Sequence, residues 1–424
     1  MHRGRDIATL TEPEELEEDR SNSLSDGGEE GPNREQTKRA MPLAGVSSLV
    51  FSARGALSLL VQLYLREMRV SPLAISLATS VEWLGVIVGG PLWGTLAGRR
   101  PKRCLLFVIL GVSAASIGVL VFLPPVLGVL PSVLVRSFAV AGLTPIAMVI
   151  VSETGILHRR GRDLSIISSS RTLGVMVGGG VAGFLLGAWG FRWSFLALAS
   201  LPVLALPLAV LVPRDRRIQM TEAGAGDRGR QPMDRQLKSL YLGVAFRQAA
   251  MSGAGSLVFV FMASLEIIPG IMGLIKAFGL CMSSIGVLGF GWLADRMKRR
   301  PIFLLGFGIA GLSPLMFAFA SNVWGMVAGY LLLGMSFGSY YAGSTTHITD
   351  VASPRSQGVM LGFLEGSRGL GGVLGPLVAG AVTPIIGYRG MFLAMAGIAA
   401  LGFALVLLAG GHKFPVQRDP LHRR

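Results

Sequence analysis

The sequence predicts an all-α integral membrane protein of twelve transmembrane helices in two pseudo-symmetric six-helix bundles, and three observations carry that prediction. The chain repeats itself at an offset of 197 residues: "GTLAGRRPKR" from Gly94 returns as "GWLADRMKRR" from Gly291, Pro72 maps onto Pro269, and Glu153 onto Asp350. Over 170–199 against 367–396, 14 of 30 positions are identical, where a composition rich in Gly, Ala and Leu would give about three. Apolar residues make up 51% of the 424 and charged residues 15%; the apolar ones gather in runs that can cross a hydrocarbon core, which takes about 20 helical residues. The charges are confined to short gaps between those runs, whereas a large soluble protein would alternate charged and apolar faces along each helix.

Residues 1–42 are acidic and rich in Ser, Gly and Pro, with too little apolar area to bury. They are expected to form a disordered cytoplasmic tail, in which "EPEELEEDR" is at most a short solvated helix. The N-terminal bundle is placed at 43–212, with spans at 43–67, 72–97, 103–122, 127–153, 166–189 and 192–212. The hydrophilic, Gly- and Arg-rich stretch 213–238 is the cytoplasmic linker. The C-terminal bundle is placed at 239–410, with spans at 239–264, 270–294, 301–320, 323–349, 359–383 and 389–410, followed by a basic cytoplasmic tail at 411–424. The first long apolar stretch starts beyond residue 42 and reads as a retained span rather than a secretory signal. Gly174, Gly178 and Gly183 in the fifth span, and Gly371, Gly375 and Gly380 in the eleventh, have the small-xxx-small spacing that lets helices approach closely in lipid.

The net charge of +15 would suggest nucleic acid in a soluble protein, but its distribution excludes that reading. Residues 1–42 hold 11 acidic and 6 basic side chains, so 13 acidic and 33 basic remain for the rest. The basic excess falls in alternate gaps, "GRRPKR", "HRRGR", "PRDRRIQ" and "RMKRRP", and in the C-terminal tail, while "PPVLGVLP", "LEIIPG" and "SNVWG" carry almost none. That asymmetry places both termini in the cytoplasm of a multi-pass cell-membrane protein, with anionic lipid head groups as partners of the basic loops. Cys104 and Cys281 have no Cys or His at ligand spacing, so neither a metal nor a disulfide is expected. No phosphate-cradling G-x-x-x-x-G-K-[ST] loop and no nucleophile with His and carboxylate partners appears, so neither a cofactor nor enzyme activity is expected.

With these segments in place, the chain from about 43 to 410 resembles the major facilitator superfamily. The most specific mark is the family's cytoplasmic motif G-x-L-a-D-R-x-G-R-R between helices 2 and 3, repeated between helices 8 and 9. The second copy reads Gly291, Leu293, Ala294, Asp295, Arg296, Arg299, Arg300; the first reads Gly94, Leu96, Ala97, Gly98, Arg99, Lys102, Arg103, with Gly98 at the acidic position. The resemblance implies alternating access without ATP, a central cavity lined by helices 1, 4, 7 and 10, and a monomer. It also implies that the motif carboxylate ties its loop to a neighbouring helix end, a clamp weakened or supplied by another residue in the first half. Arg136, in "LVRSFAVAGLTP", resembles the helix 4 arginine of proton-coupled members, though the glycine spacing after it departs from that motif. The antiporter pattern G-x-x-x-G-P-x-x-G-G is incomplete in helix 5, and its proline stands instead at Pro376 in helix 11.

Independently of the family, a charge in mid-span is expensive and normally faces a cavity or a partner. Arg54, Glu82, Arg136, Arg247 and Lys276 are such groups, and they are the candidates for binding and coupling, with Glu82 the first choice to carry a proton and Glu365 the second. Arg54 shifted by 197 falls on Met251, one turn from Arg247, so the two arginines are expected on similar faces, able to hold a carboxylate or phosphate. The alternative pairs Arg54 with Glu82 and Arg247 with a helix end. Tyr340 and Tyr341 could present ring surface and hydrogen bonds to a solute. Arg99, Glu153, Arg171, Asp295, Arg296, Asp350, Glu365 and Arg368 are expected to form a cytoplasmic gate of ion pairs that break and re-form. A parallel duplication in an apolar chain puts the site between the repeats. The expected activity is proton-coupled efflux of small amphipathic compounds, with uptake or exchange of an organic anion as the alternative and a non-transporting solute sensor as a remote one.

Overall fold

The computed structural model describes residues 30–122, 125–154, 160–212, 235–296, 299–351 and 357–409, and every regular element among them is a helix. These are α1 (Glu30–Glu67), α2 (Pro72–Ala97), α3 (Lys102–Phe122), α4 (Pro125–Ala141), α5 (Leu143–Thr154), α6 (Arg160–Leu204), α7 (Leu206–Leu211), α8 (Arg235–Ser264), α9 (Pro269–Arg296), α10 (Arg299–Phe319), α11 (Val323–Val351) and α12 (Gln357–Ala409). Twelve spans result from a different division of these helices. α4 and α5 are one span, broken at Gly142 because Pro145 has no N–H to give and its ring crowds the carbonyl of Ala141. α6 holds the fifth span and the start of the sixth, bent at Gly190 (φ 70°, ψ 179°), and α12 holds the eleventh and twelfth, bent at Gly387 (φ 73°, ψ 177°). That corner of backbone space is almost closed to residues with a Cβ.

α1 starts at Glu30, thirteen residues before the expected edge of the tail at 43. Extending an existing helix adds a hydrogen bond per residue with no new nucleus, and "REQTKRA" offers good helix formers. The rest of the expected tail (1–29), linker residues 213–234 and the basic C-terminal tail lie outside the described residues.

The repeat is visible in the backbone. The turn after α1 passes through Arg69 at φ 54° and the turn after α8 through its counterpart Glu266 at φ 61°. Each is closed by one matching hydrogen bond, Val70 N to Leu65 O at 3.0 Å and Ile267 N to Met262 O at 3.2 Å. Helix packing inside each bundle repeats as well. A Cβ on Gly174 or Gly178 would strike the carbonyls of Ser48 and Ser52, and one on Gly371 or Gly375 those of Ala245 and Ala249. Without a hydrophobic effect between helices in lipid, such backbone-to-backbone approach is what holds each bundle together.

The third glycine of each series faces the other bundle. A Cβ on Gly183 would lie 1.8 Å from Pro269 O, and one on Gly380 would lie 1.9 Å from Ser76 Oγ. Both contacts sit on the face that carries the Arg69 and Glu266 turns, called here the turn face. On the same face Gln62, in α1, spans the bundles: its Nε2 donates to Gly255 O at 2.9 Å and its Oε1 accepts from Phe259 N at 3.2 Å. Arg66 Nη2 donates to Ala263 O at 3.2 Å. Gln62 and Phe259, and Arg66 and Ala263, are each 197 apart; equivalent residues touch only beside the axis that relates the repeats, so α1 and α8 cross there. Trp189, Trp193 and Trp324 are exposed near the turn face, where indole rings suit a lipid–water boundary.

Candidate functional site

Between the bundles lies a cavity of about 280 Å³. Its walls come from α1, α2, α4, α8, α9 and α11, so the second and eighth spans line it in addition to the expected first, fourth, seventh and tenth. Twelve of its lining residues form six pairs at the 197 offset: Ser58 with Gly255, Gln62 with Phe259, Thr79 with Lys276, Glu82 with Gly279, Val133 with Tyr330, and Arg136 with Leu333. The cavity is therefore symmetric in backbone and asymmetric in chemistry. Within these pairs the N-terminal bundle supplies Ser58, Gln62, Thr79, Glu82 and Arg136, and the C-terminal bundle answers with glycine, rings and leucine and with Lys276. Ser252 and Ser283 add two hydroxyls on the C-terminal side, and Leu57, Val61, Ile75, Ala78 and Val133 add apolar surface on the N-terminal side.

Glu82 is the node of the charged wall. Arg54 Nε donates to its Oε1 at 2.9 Å, and Arg136 Nη2 stands 3.6 Å from the same oxygen. Of the two readings open for Arg54, pairing with Glu82 is the arrangement found. Gly85 and Gly89 let α2 lie against α4, a Cβ on Gly85 meeting Ser137 Oγ at 2.1 Å, which brings Glu82 and Arg136 to one level. Lys276 reaches across the bundle boundary: Nζ donates to Gly55 O at 2.6 Å and to Ser58 Oγ. Its stem passes over Gly179, where a Cβ would lie 3.1 Å from Lys276 Cδ. Among the described residues no carboxylate lies within salt-bridge distance of Lys276.

Two expected members of the site are elsewhere. Arg247 is buried within the C-terminal bundle, where Nη2 donates to Ser336 Oγ at 2.8 Å and the guanidinium lies 4.1 Å from the Tyr340 ring centre. Ser336 passes the bond on to Gly306 O at 3.0 Å. Arg247 sits four residues before Met251, the counterpart of Arg54, which turns it by about 40° on the helix and aims it at α10 and α11. Tyr340 is packed edge-on against Phe307 and does not line the cavity; Tyr330 does. The side chain of Tyr341 lies outside the described residues. Sequence reasoning missed Gln62, Thr79, Phe259 and Tyr330. For Thr79 the signal was the repeat, which pairs it with Lys276, while Gln62, Phe259 and Tyr330 are paired only with each other or with Val133 and carried no such direct signal.

Of the expected cytoplasmic gate, the side chains of Glu153, Asp295 and Asp350 lie outside the described residues. Arg368 Nη1 bonds Glu365 Oε1 at 2.7 Å within α12, a pairing along one helix. Arg171 lies over the Phe51 ring at 4.4 Å and Arg296 over Trp292 at 3.8 Å, while Arg99 is exposed. In the first-half loop motif, where Gly98 replaces the acid, Arg103 Nε donates to Val212 O at the end of the sixth span; a basic group on a helix C-terminus ties that loop down. Cys104 and Cys281 are free thiols, and the described residues hold no cluster of His, Cys, Asp and Glu able to bind a metal.

The sequence profile of the Major Facilitator Superfamily matches residues 43–287 and again 240–423. A multidrug resistance protein, MdtG, of Salmonella paratyphi C is 22% identical over 343 residues, covering 76% of this chain and 81% of its own. MdtG of Enterobacter lignolyticus is 23% identical over 339 residues, with 76% and 78% covered. Among solved structures, a bacterial homolog of the human lysosomal transporter Spinster, inward-facing and unoccupied, superposes with a TM-score of 0.74 at 16% identity, over 90% of this chain and 98% of that one. The nucleoside transporter NupG superposes with a TM-score of 0.73 at 15% identity, over 88% and 99%.

Proposed function

The chain belongs to the major facilitator superfamily, and from that premise we propose that it exports a small amphipathic solute through the cavity between its bundles by alternating access, in exchange for protons that bind at Glu82. Membership makes it a multi-pass membrane transporter and not an enzyme. The observation that carries the proposal is the cavity itself: six matched pairs from the two repeats enclose it, and a carboxylate held by two arginines forms its wall. A proton on Glu82 removes the charge that holds Arg54 and Arg136 together, which ties protonation to the shape of the cavity.

Direction and orientation rest on further support. The relatives named for multidrug resistance favour export. The basic gaps lie at the end opposite the turns at 68–71 and 265–268, so the turn face is extracellular and both termini are cytoplasmic. The contacts of Gln62, Arg66, Gly183 and Gly380 then close the outer side, as in an inward-facing state, and opening breaks them. The chain works as a monomer, its two bundles supplying both walls.

The test is lumenal pH in proteoliposomes given outward solute gradients of organic anions, neutral compounds and lipophilic cations. At least one solute should drive proton movement of opposite sense in the native protein, and Glu82→Gln should reduce that movement at least tenfold. Solute flux that moves no protons, or equal coupling in Glu82→Gln, would overturn the coupling assignment.

A further inference from the structure

We propose that the solute is a small amphipathic organic anion, an aryl or short alkyl carboxylate, whose carboxylate is received by Lys276 with Arg136 and whose apolar body lies against Phe259, Tyr330 and Leu333. The inference rests on the transport reading above and names its substrate class.

The charge count comes first. Among the described residues, Arg136 and Lys276 line the cavity with one carboxylate, Glu82, and a third cation, Arg54, stands behind that carboxylate. Arg54 hydrogen-bonds Glu82 at 2.9 Å and Arg136 is ion-paired with the same oxygen at 3.6 Å, so one carboxylate serves two guanidiniums and leaves a positive charge over. Lys276 is held by a carbonyl and a hydroxyl, which place the ammonium but carry no formal charge to offset it. An ammonium has three donors and these two acceptors use two. A positive surplus in a partly buried cavity favours an anionic occupant over a neutral or cationic one.

The pairing across the repeat then sets the shape of that occupant. Where the N-terminal bundle has Arg136, the C-terminal bundle has Leu333; where one has Gln62 the other has Phe259; where one has Val133 the other has Tyr330. Across these pairs the polar groups fall mostly on the N-terminal bundle and the rings on the C-terminal one, with Lys276 reaching from the second to the first. A solute that satisfies both walls has one charged end and one apolar end. A volume of about 280 Å³ lies at the bottom of the roughly 300–1,000 Å³ range of small-molecule pockets, which suits one ring or a short chain with a single head group.

The experiment is calorimetric titration of the purified full-length protein with three compounds of nearly one shape: benzoate, benzamide and benzylamine. Benzoate should bind at least tenfold more tightly than either analogue, Lys276→Gln should weaken benzoate at least tenfold while leaving benzamide unchanged, and Lys276→Arg should restore part of the loss. Equal binding of the three compounds, preference for benzylamine, or full benzoate affinity in Lys276→Gln would overturn the inference. If Lys276→Gln does not fold, the ranking of the three compounds on the native protein decides alone. Binding needs no turnover, so benzoate selectivity without flux of any solute would sink the transport reading and leave this one standing. Proton-coupled flux of other solutes without benzoate selectivity would do the reverse.

Discussion

Replacing Gly183 by valine should pry the bundles apart on the turn face without unfolding either of them. A Cβ at Gly183 would stand 1.8 Å from Pro269 O and 2.2 Å from its carbonyl carbon. Carbon contacts are comfortable only from about 3.5 Å, so the end of the fifth span and the start of α9 must separate by roughly 1.3 Å. Gly178 asks for a similar shift, its Cβ falling 1.9 Å from Ser52 O, but its neighbour is in the same bundle and stays there in every state. Overpacking costs about 1–3 kcal/mol. For Gly183→Val that cost falls on the closed outer face alone and shifts the equilibrium toward outward-open by about 5- to 150-fold; for Gly178→Val it falls on the fold. The assay is labelling of Thr79→Cys, in a Cys104→Ser/Cys281→Ser background, by a membrane-impermeant maleimide added outside cells. Labelling should speed up at least fivefold with Gly183→Val and stay unchanged with Gly178→Val, which should instead melt at lower temperature. Unchanged labelling with a lowered melting point in Gly183→Val would refute the distinction and reduce Gly183 to packing.

Gln62→Ala removes two hydrogen bonds between α1 and α8 and leaves Phe259 N and Gly255 O to their own helix; at about 1 kcal/mol per bond the same labelling assay should report a further rise of about five- to thirtyfold. Arg247→Met should leave benzoate affinity within about twofold of native by calorimetry, because Arg247 is bonded to Ser336 inside the C-terminal bundle; a tenfold loss would return it to the cavity. Gly190→Ala and Gly387→Ala each force a Cβ into positive φ, at about 1–3 kcal/mol, and each should lower the melting temperature in detergent with solute selectivity unchanged.

The repeat made most of the fold legible, because long apolar runs and a constant offset leave few ways to arrange twelve spans. Glu82, Arg136 and Lys276 were legible as cavity residues for a simple reason: a charge in mid-span must face something polar. Arg247 obeyed the same rule and still misled, since Ser336 and the face of the Tyr340 ring accept a guanidinium, and sequence alone does not place those partners. Tyr330 and Tyr340 are ten residues apart on one helix, which puts them about 80° apart around its axis; nothing local to either says which faces the axis of the molecule. The offset does say so, because Tyr330 is the counterpart of Val133, one turn from Arg136, and so shares its level. Carried through Glu82, Arg136 and Lys276, that arithmetic lands on Gly279, Leu333 and Thr79, which do line the cavity; carried through Arg54 and Arg247 it lands on Met251 and Val50, which do not. The start of α1 at Glu30 was illegible from composition because a helix anchored in an apolar span can extend through polar residues that would not nucleate one.

The central claim is that solute passes between two bundles that part and close around one cavity. A Cβ on Gly180 would lie 3.2 Å from Ala277 Cβ across the bundle boundary, so Gly180→Cys with Ala277→Cys, in the background lacking Cys104 and Cys281, places two Cβ atoms within a few tenths of an ångström of disulfide separation. The decisive measurement is proton-coupled solute flux in proteoliposomes carrying this pair, oxidised and then reduced. Flux should vanish on oxidation and return with reductant, while benzoate still binds the oxidised protein from the cytoplasmic side. Undiminished flux through the cross-linked protein would contradict the account.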